Sequence, residues 1–334
     1  VVKRIANAES CCSDAFVTDP DVAARDAGTG GAGGVKAAGG RAALSPAAIL
    51  AACHQGERLQ LHVLDRVDST SSEAMRLRRA DGGSADGRSA HGSAPLLAVT
   101  AEYQSAGRGR RGRVWHGGHG EGIHLSVARA MSVQQPPGAL ALACSVAVLD
   151  VLHANGLHMV QLKWPNDLVH RDRHGYAKLG GLLVEASSAG RDAPLEVVVG
   201  VGINVTGTGT RSGTGTETDS DSSTGTSDAM AGYRATDLTR LGMARPCRNA
   251  LIGALIDALA SALARYQTDG FAAFAHDWNA RDAFAGEVLR VEQHGQTGVG
   301  RSLGVGDDGA LVLRQADGRR CRYFSGDVSM RPVE

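Results

Sequence analysis

Residues 206–228 of this chain read TGTGTRSGTGTETDSDSSTGTSD, without one apolar side chain. A segment of that composition has nothing to bury, so ordering it would cost backbone entropy with no hydrophobic gain. It reads as a flexible insertion in a surface loop. Two further tracts behave alike: 1–45, which includes GTGGAGGVKAAGGRAA, and 81–95, DGGSADGRSAHGSAP. Any folded core must come from the segments between these three.

Those segments alternate in period. LHVLDRV (61–67) reads as a strand. DSTSSEAMRLRRA (68–80) reads as a helix that Ser69, Thr70 or Ser71 can cap, with Glu73 supporting its first turn. LLAVTAEY (96–103) and GIHLSVA (122–128) read as strands, and GALALACSVAVLDVLHANG (138–156) as a buried helix ended at Asn155 and Gly156. MVQLKW (159–164), LGGLLVEA (179–186) and EVVVGVGINV (196–205) follow as strands. Leu251, Leu255, Leu259 and Leu263 then recur every four residues beside Ile252 and Ile256, a helical stripe, and 270–282 reads as a second helix. From Ala285 the period shortens to strands separated by Gly and Asp turns, which predicts a small barrel appended to an α/β domain.

Charge and cysteines narrow the class. Lys plus Arg and Asp plus Glu are both 35, and a net charge of zero argues against a surface built wholly for nucleic acid. Cys11, Cys12, Cys53, Cys144, Cys247 and Cys321 have no metal-ligand spacing and suit a reducing compartment. No apolar run follows Lys3 and Arg4, and the most apolar stretch, 139–152, is broken by Ser145 and Asp150. It is also shorter than the roughly 20 residues that span a bilayer. A soluble, cytoplasmic protein is expected, with no membrane partner.

Four short segments carry chemistry. GRGRRGR (107–113) sits between two strands; its glycines let amides converge on an anion and its guanidinium forks grip phosphate, although a solvated turn has the same composition. KWPND (163–167) ends a strand in an Asn–Asp pair that can hold Mg²⁺ or form an ordinary turn. KLGGLLVEA (178–186) places a lysine at the mouth of an apolar strand, where the alternative is a surface lysine. In GVGINV (200–205), Gly200 and Gly202 bare one face of a strand so that a flat ring can approach, and Asn204 offers a donor and an acceptor.

In this order, DRVDSTSSEAM, AEYQSAGRGRRGRVW, LKWPNDL, KLGGLLVE and GVGINV resemble the signature series of biotin–protein ligases, and FSGDVSMRP (324–332) is similar to the end of that family's C-terminal barrel. The resemblance covers roughly 60–205 and 246–334. It implies an α+β fold: a mixed sheet with helices, like the class II aminoacyl-tRNA-synthetase catalytic domain, plus a small SH3-like barrel. It implies a poorly ordered region over 1–58 (a possible winged-helix remnant), a catalytic domain over 59–282 with the 206–228 insertion, and the barrel over 283–334. The implied reaction makes biotinyl-5′-adenylate from biotin and ATP with Mg²⁺, then passes biotin to a lysine of a biotin carboxyl carrier domain of acetyl-CoA carboxylase or another biotin carboxylase.

The same resemblance assigns residues. Lys178 and Arg110 would be catalytic, with Lys178 bridging the biotin carboxylate and the α-phosphate. Biotin would be bound by Ser69, Thr70, Ser71, Gln104, Arg108, Gly109, Arg110, Lys178, Gly180 and Gly181. The nucleotide would be bound by Arg108, Arg110, Trp115, Lys163, Asn166 and Asn204, and Mg²⁺ by Asp167. Trp115 would anchor an arginine loop expected to stay open until ligand orders it.

The chain departs from the family pattern where the usual S-T-N becomes Ser69-Thr70-Ser71, and where K-L-A-G becomes Lys178-Leu179-Gly180-Gly181, a change expected to loosen the strand. No residue of the 206–228 tract can be named as an adenine cap. VVKRIA (1–6) faintly resembles a recognition-helix end and LSPAAILAA (44–52) the connector after a wing, but no complete helix-turn-helix lies between, so DNA binding is not expected. The start without methionine leaves room for an upstream portion. The alternatives are a lipoate or octanoate ligase, or a ligase that is also a repressor; the full K-W-P-N-D and the doubled-arginine loop favour biotin. A homodimer is left open.

Overall fold

The computed structural model describes residues 42–54, 59–80, 95–132, 137–188, 194–207, 234–293, 296–324 and 328–333. Most of the three polar tracts, including residues 1–41 and 208–233, lies outside the described residues, and with them the reading of VVKRIA and of the flexible insertion. Among the described residues no helix is long and apolar enough to cross a membrane.

The centre is a mixed sheet. β1 (Leu59–Val67) and β2 (Leu96–Gln104) pair in parallel, joined across one face by α2 (Thr70–Ala80). β3 (Gly122–Met131), β4 (Val160–Lys163), β5 (Asp167–Asp172), β6 (Gly175–Ser188) and β7 (Leu195–Asn204) complete the order β1-β2-β3-β7-β6-β5-β4, antiparallel from β2 onward. The two-residue β8 (Arg234–Ala235) pairs with Ala177 and Lys178 of β6, beyond the point where β7 stops.

The two faces of this sheet differ because the strands alternate. On β7, Val197, Val199, Val201 and Ile203 enter the main core, under α3 (Leu140–Ala154), α4 (Arg248–Asp269) and α5 (Ala272–Asn279). α3 is apolar on nearly every side because other elements surround it, and the Leu251-to-Leu263 stripe of α4 is fully buried against it. Truncating one of these leucines to alanine would cost about 2–5 kcal/mol. On the opposite face Val198 packs under α2 with Ala74, Leu97, Val99 and Ala128. Farther along that face β7 presents only Gly200 and Gly202, and the sheet is left open there.

One expectation is corrected and another holds. Residues 42–54, assigned to a poorly ordered region, are a docked segment. Ser45 caps α1 (Pro46–Ala51) by accepting from the Ala48 amide, and Ile49 is fully buried. The Leu44 amide donates to Glu102 (2.6 Å), which is also held in a buried pair by Arg248 (2.5 Å). KWPND is the turn that its residues allowed: it forms the corner of the β4–β5 hairpin, with Lys163 paired to Asp167 in register.

After α5 the chain enters a five-stranded antiparallel sheet: β9 (Val288–Gln293), β10 (Gln296–Val305), β11 (Leu311–Arg314), β12 (Arg320–Tyr323) and β13 (Val328–Pro332), ordered β12-β11-β10-β9-β13. It abuts the larger sheet and its helices through the Trp164 indole, which donates to the Gly309 carbonyl (3.2 Å), and through Asn279, which bonds the Val305 backbone in both directions.

Candidate functional site

The open part of the sheet face is a cleft. Its floor is bare because Gly200 and Gly202 have no side chain. A Cβ at Gly200 would stand 2.7 Å from the Ser71 hydroxyl, and one at Gly202 would stand 2.6 Å from the Trp115 ring. The ring that approaches Gly202 is thus the protein's own indole.

One end of the cleft is a cluster of neutral polar groups supplied by the first turn of α2. The Gln104 amide oxygen accepts from both the backbone amide (2.8 Å) and the hydroxyl (3.1 Å) of Thr70. The Ser126 hydroxyl donates to the Thr70 hydroxyl (2.8 Å) and lies 3.0 Å from that of Ser71. Ser69, Thr70 and Ser71 are buried, yet all three line the cleft. Ser71, standing where the family pattern has asparagine, finds its partner in Ser126. A lone serine within a strand gave no signal of this.

The other end carries charge. The Lys163 ammonium lies 2.9 Å from one carboxylate oxygen of Asp167, and the Lys178 ammonium lies 3.0 Å from the other. All three side chains are mostly buried. Burial alone would raise the Asp167 carboxyl, but the charges and hydrogen bonds of the two lysines outweigh it and hold it well below the usual carboxylate range. Lys178 also lies 5.8 Å from the centroid of the Trp115 ring.

Lys178 and Gly181 both line the cleft although they are three residues apart on a strand. The pairing explains it. Val169 faces Lys178 and Leu168 faces Gly180, so Leu179 is an extra residue and the strand bulges there. Gly180 falls outside the lining, packed so tightly on β7 that a Cβ would overlap the Gly202 carbonyl oxygen. Gly180, the first glycine of KLGG, therefore accommodates a closer strand and does not loosen one.

The arginine segment is a small hairpin folded beside the cleft. Arg108 bridges to Val114, the Gly109 amide donates to the Arg113 carbonyl (2.7 Å), and the Trp115 amide donates to the Gly107 carbonyl (2.8 Å). At the tip Arg111 adopts φ 60° and ψ 33°, a left-handed conformation that costs a non-glycine residue about 1 kcal/mol. Two side chains fasten the hairpin to the sheet: Arg108 pairs with Glu185 (2.6 Å), and Arg110 donates to the Asn166 side chain (3.3 Å), whose own amide donates to the Leu182 carbonyl (2.7 Å). The expected open loop is in fact ordered by these contacts.

Of the residues expected from sequence, Ser69, Thr70, Ser71, Gln104, Arg108, Gly109, Arg110, Trp115, Lys163, Asn166, Asp167, Lys178 and Gly181 line this single cleft. Asn204 does not; its amide donates to the Thr236 carbonyl (3.0 Å) and ties β7 to the residues after β8. Beside it His124 is buried with neither ring nitrogen hydrogen-bonded, and its pKa is pushed down to about 4 by burial, with the Arg248 charge adding to it. The Trp115 indole N–H likewise has no partner. Sequence reasoning did not single out Ser126, His124 or Glu185, nor Met330, which reaches the cleft from the C-terminal sheet.

Asp167 does not fit the expected role of Mg²⁺ ligand. Each carboxylate oxygen already faces an ammonium, and a dication placed there would meet two like charges. Among the described residues no group of three or more His, Cys, Asp or Glu side chains is arranged to hold a metal ion.

Comparison with known proteins agrees with this arrangement. Residues 87–204 match the model of the biotin/lipoate A/B protein ligase family. The chain is 34% identical over 275 residues to a biotin–[acetyl-CoA-carboxylase] ligase of Mycobacterium tuberculosis, covering 80% of this chain and 88% of that one. It is 32% identical over 240 residues to the bifunctional ligase/repressor BirA of Escherichia coli, spanning 67% of that protein's length. The biotin protein ligase of Aquifex aeolicus, solved in complex with biotin and ATP, has the same fold, with a TM-score of 0.57 at 23% identity, covering 82% of this chain and 99% of that one.

Proposed function

This chain belongs to the biotin–protein ligase family, and from that premise we propose that it activates biotin with ATP and transfers it to a lysine of a biotin carboxyl carrier domain. In the first step a biotin carboxylate oxygen attacks the α-phosphorus; the bond to the bridging oxygen breaks, pyrophosphate leaves, and biotinyl-5′-adenylate forms. In the second, the neutral amine of the acceptor lysine attacks the acyl carbon. An amide forms, AMP leaves, and the amine gives up a proton.

The observation that carries this reading is the polarity of the cleft. A hydroxyl cluster lies at one end, two lysines held on one carboxylate lie at the other, and an indole lies on bare glycines. Biotin's ureido ring has both donors and an acceptor for the cluster formed by Ser71, Thr70, Ser126 and Gln104. The dithiolane ring of lipoate has no N–H or O–H to offer there, which favours biotin over lipoate. Its carboxylate then points at Lys178 and Lys163.

Attack of one anion on another is opposed by repulsion, so fixed cations that gather both lower the barrier most. Lys178 would bridge the two anions, while Arg108 and Arg110 would close over the mixed anhydride and slow its escape into water. Trp115 would pack beside it and Asn166 would hold Arg110. Asn204 and the neighbouring His124 lie toward β8, where the nucleoside would extend. Mg²⁺ has no carboxylate of its own among the residues that line this cleft.

The deciding experiment mixes the protein with biotin, MgATP and an apo biotin carboxyl carrier domain and follows the carrier's mass. A biotin adduct on one lysine is expected. An unmodified carrier, or stabilisation against heat by lipoate and not by biotin, would overturn the reading.

A further inference from the structure

The hydroxyl cluster at the uncharged end of the cleft has a direction, and counting its protons gives it. The Thr70 backbone N–H can only donate, so the Gln104 side-chain atom that it meets at 2.8 Å is the amide oxygen. That oxygen cannot donate, so the Thr70 hydroxyl, 3.1 Å away, gives its one proton to it. Thr70 Oγ1 then has only lone pairs for Ser126, whose hydroxyl donates to it (2.8 Å). With that proton committed, Ser126 can only accept from Ser71 (3.0 Å). The chain therefore runs one way, from Ser71 to Ser126 to Thr70 to Gln104.

Its two ends face the ligand differently. The Ser71 proton is turned inward, so Ser71 shows the cleft lone pairs and no donor. The Gln104 amide nitrogen makes no hydrogen bond among the described residues and still has its N–H groups to give. Ser71 and Gln104 both line the cleft, whereas Ser126 is fully buried and does not. Packing protects the arrangement. Ser126 lies on β3 opposite Gly200 of β7, where a Cβ would stand 2.7 Å from the Ser71 oxygen and 3.7 Å from that of Ser126. An acceptor set near a donor is the complement of an N–H next to a carbonyl, the pair that a cyclic urea presents.

We propose that Ser126 is a positioning residue that fixes the polarity of this site: it holds the Ser71 proton inward, so that Ser71 accepts a ring N–H of biotin while Gln104 donates to the ring carbonyl. The inference rests on the ligase reading and extends it from the reacting end of biotin to the selection of its ring. Asparagine, the family's usual residue at position 71, carries a donor and an acceptor on one side chain and can present either. A serine tied to Ser126 presents one. A ring atom that brings a lone pair in place of the N–H meets Ser71 lone pair against lone pair. Ser71 can answer it only by withdrawing its proton from Ser126, which leaves a buried oxygen without a donor.

The test uses the intact protein, biotin, and two biotin analogues in which one or the other ring N–H is replaced by oxygen, a change that keeps the ring's size. Affinity is read by calorimetry and turnover by pyrophosphate release with MgATP. In the unmodified protein the weaker-binding analogue should bind about a hundredfold less tightly than biotin. Ser126→Ala frees Ser71 to turn its proton outward, so that preference should shrink to about tenfold or less, with the biotin KM up a few-fold and kcat and the MgATP KM within about twofold. Ser126→Thr keeps a hydroxyl at the position and should keep the preference. A preference below about fivefold for both analogues in the unmodified protein overturns the proposal, whether or not the variants fold. So does a preference that Ser126→Ala leaves unchanged, which would make Ser126 a packing residue only. If the unmodified protein binds no biotin, the ligase reading itself fails and the proposal falls with it.

Discussion

In the cleft Lys163 and Lys178 share the carboxylate of Asp167, and Arg108 has that of Glu185; on the outer barrel face Arg301, Arg314 and Arg320 stand in line and pair with no carboxylate among the described residues. The difference follows from water. A mostly buried ammonium must be compensated by a partner inside the fold, because desolvation of a lone charge costs several kcal/mol. That partner also fixes the cation in place before any ligand arrives. An exposed guanidinium is solvated and screened and needs no ion-pair partner inside the fold.

Several substitutions can break this contrast. The largest effect is expected from Lys178→Ala, which should reduce biotin-dependent pyrophosphate release by about 10³-fold, some 4 kcal/mol, with the fold retained. A loss of less than tenfold would remove Lys178 from the chemistry. Asp167→Asn strands two ammonium groups in a nearly dry corner and should lower stability by about 3 kcal/mol in urea unfolding at pH 7. Because the folded carboxyl is depressed, its contribution is complete above the ordinary aspartate range and fades as pH falls through the folded value. A neutral Asp167→Asn would mean that the lysines are not locked.

Acid separates the two regions further. His124 has a folded pKa of about 4 against an ordinary 6.5, so the unfolded chain binds the extra proton and stability falls as pH drops from 6.5 toward 4. The full effect is about 3 kcal/mol, and His124→Gln should flatten that slope. At the seam with the barrel, Asp282 is raised to about 6 by burial, and it runs the other way: the folded state holds the proton, so stability falls as pH rises from 3.8 to 6. Asp282→Asn should therefore steepen the acid loss that His124→Gln removes; urea melts of both at pH 4.5 and 7 check the opposed signs.

Smaller effects test the fastenings. Glu185→Gln frees Arg108 and should let bound biotinyl-adenylate escape a few-fold faster, measured by trapping the released intermediate. The smallest change concerns the barrel itself. Replacing Arg314 and Arg320 by Gln should raise stability by up to about 1 kcal/mol, since mutual repulsion is removed; Arg301 is kept because it donates to the Gly286 carbonyl. A loss of stability would show that the row is structural.

Much of this was legible in the residues. The Leu251–Leu263 spacing, the all-apolar α3 segment and the alternating β7 each have a period that only one element type satisfies, and the arginine loop, KWPND and KLGG do converge on one cleft. What was not legible depends on neighbours distant in sequence. The KWPND turn could be read locally, but the pairing of Asp167 with Lys163 and with the distant Lys178, which makes it a lysine anchor and not a metal ligand, could not. Ser126 has meaning only once β3 lies beside the start of α2. Residues 42–54 follow a tract with nothing to bury, yet Ile49 and Leu44 find α4 and Glu102, partners that no local pattern announces.

The bulge at Leu179 has a consequence for how such chains can vary. One extra residue on β6 brings Lys178 and Gly181 to the same side of the strand. Removing or adding a single residue between them would turn one of the two away from the cleft, whatever the side chains were. Insertion and deletion along β6 are therefore barred even where a substitution would fit. In this stretch the spacing of residues is itself part of the site.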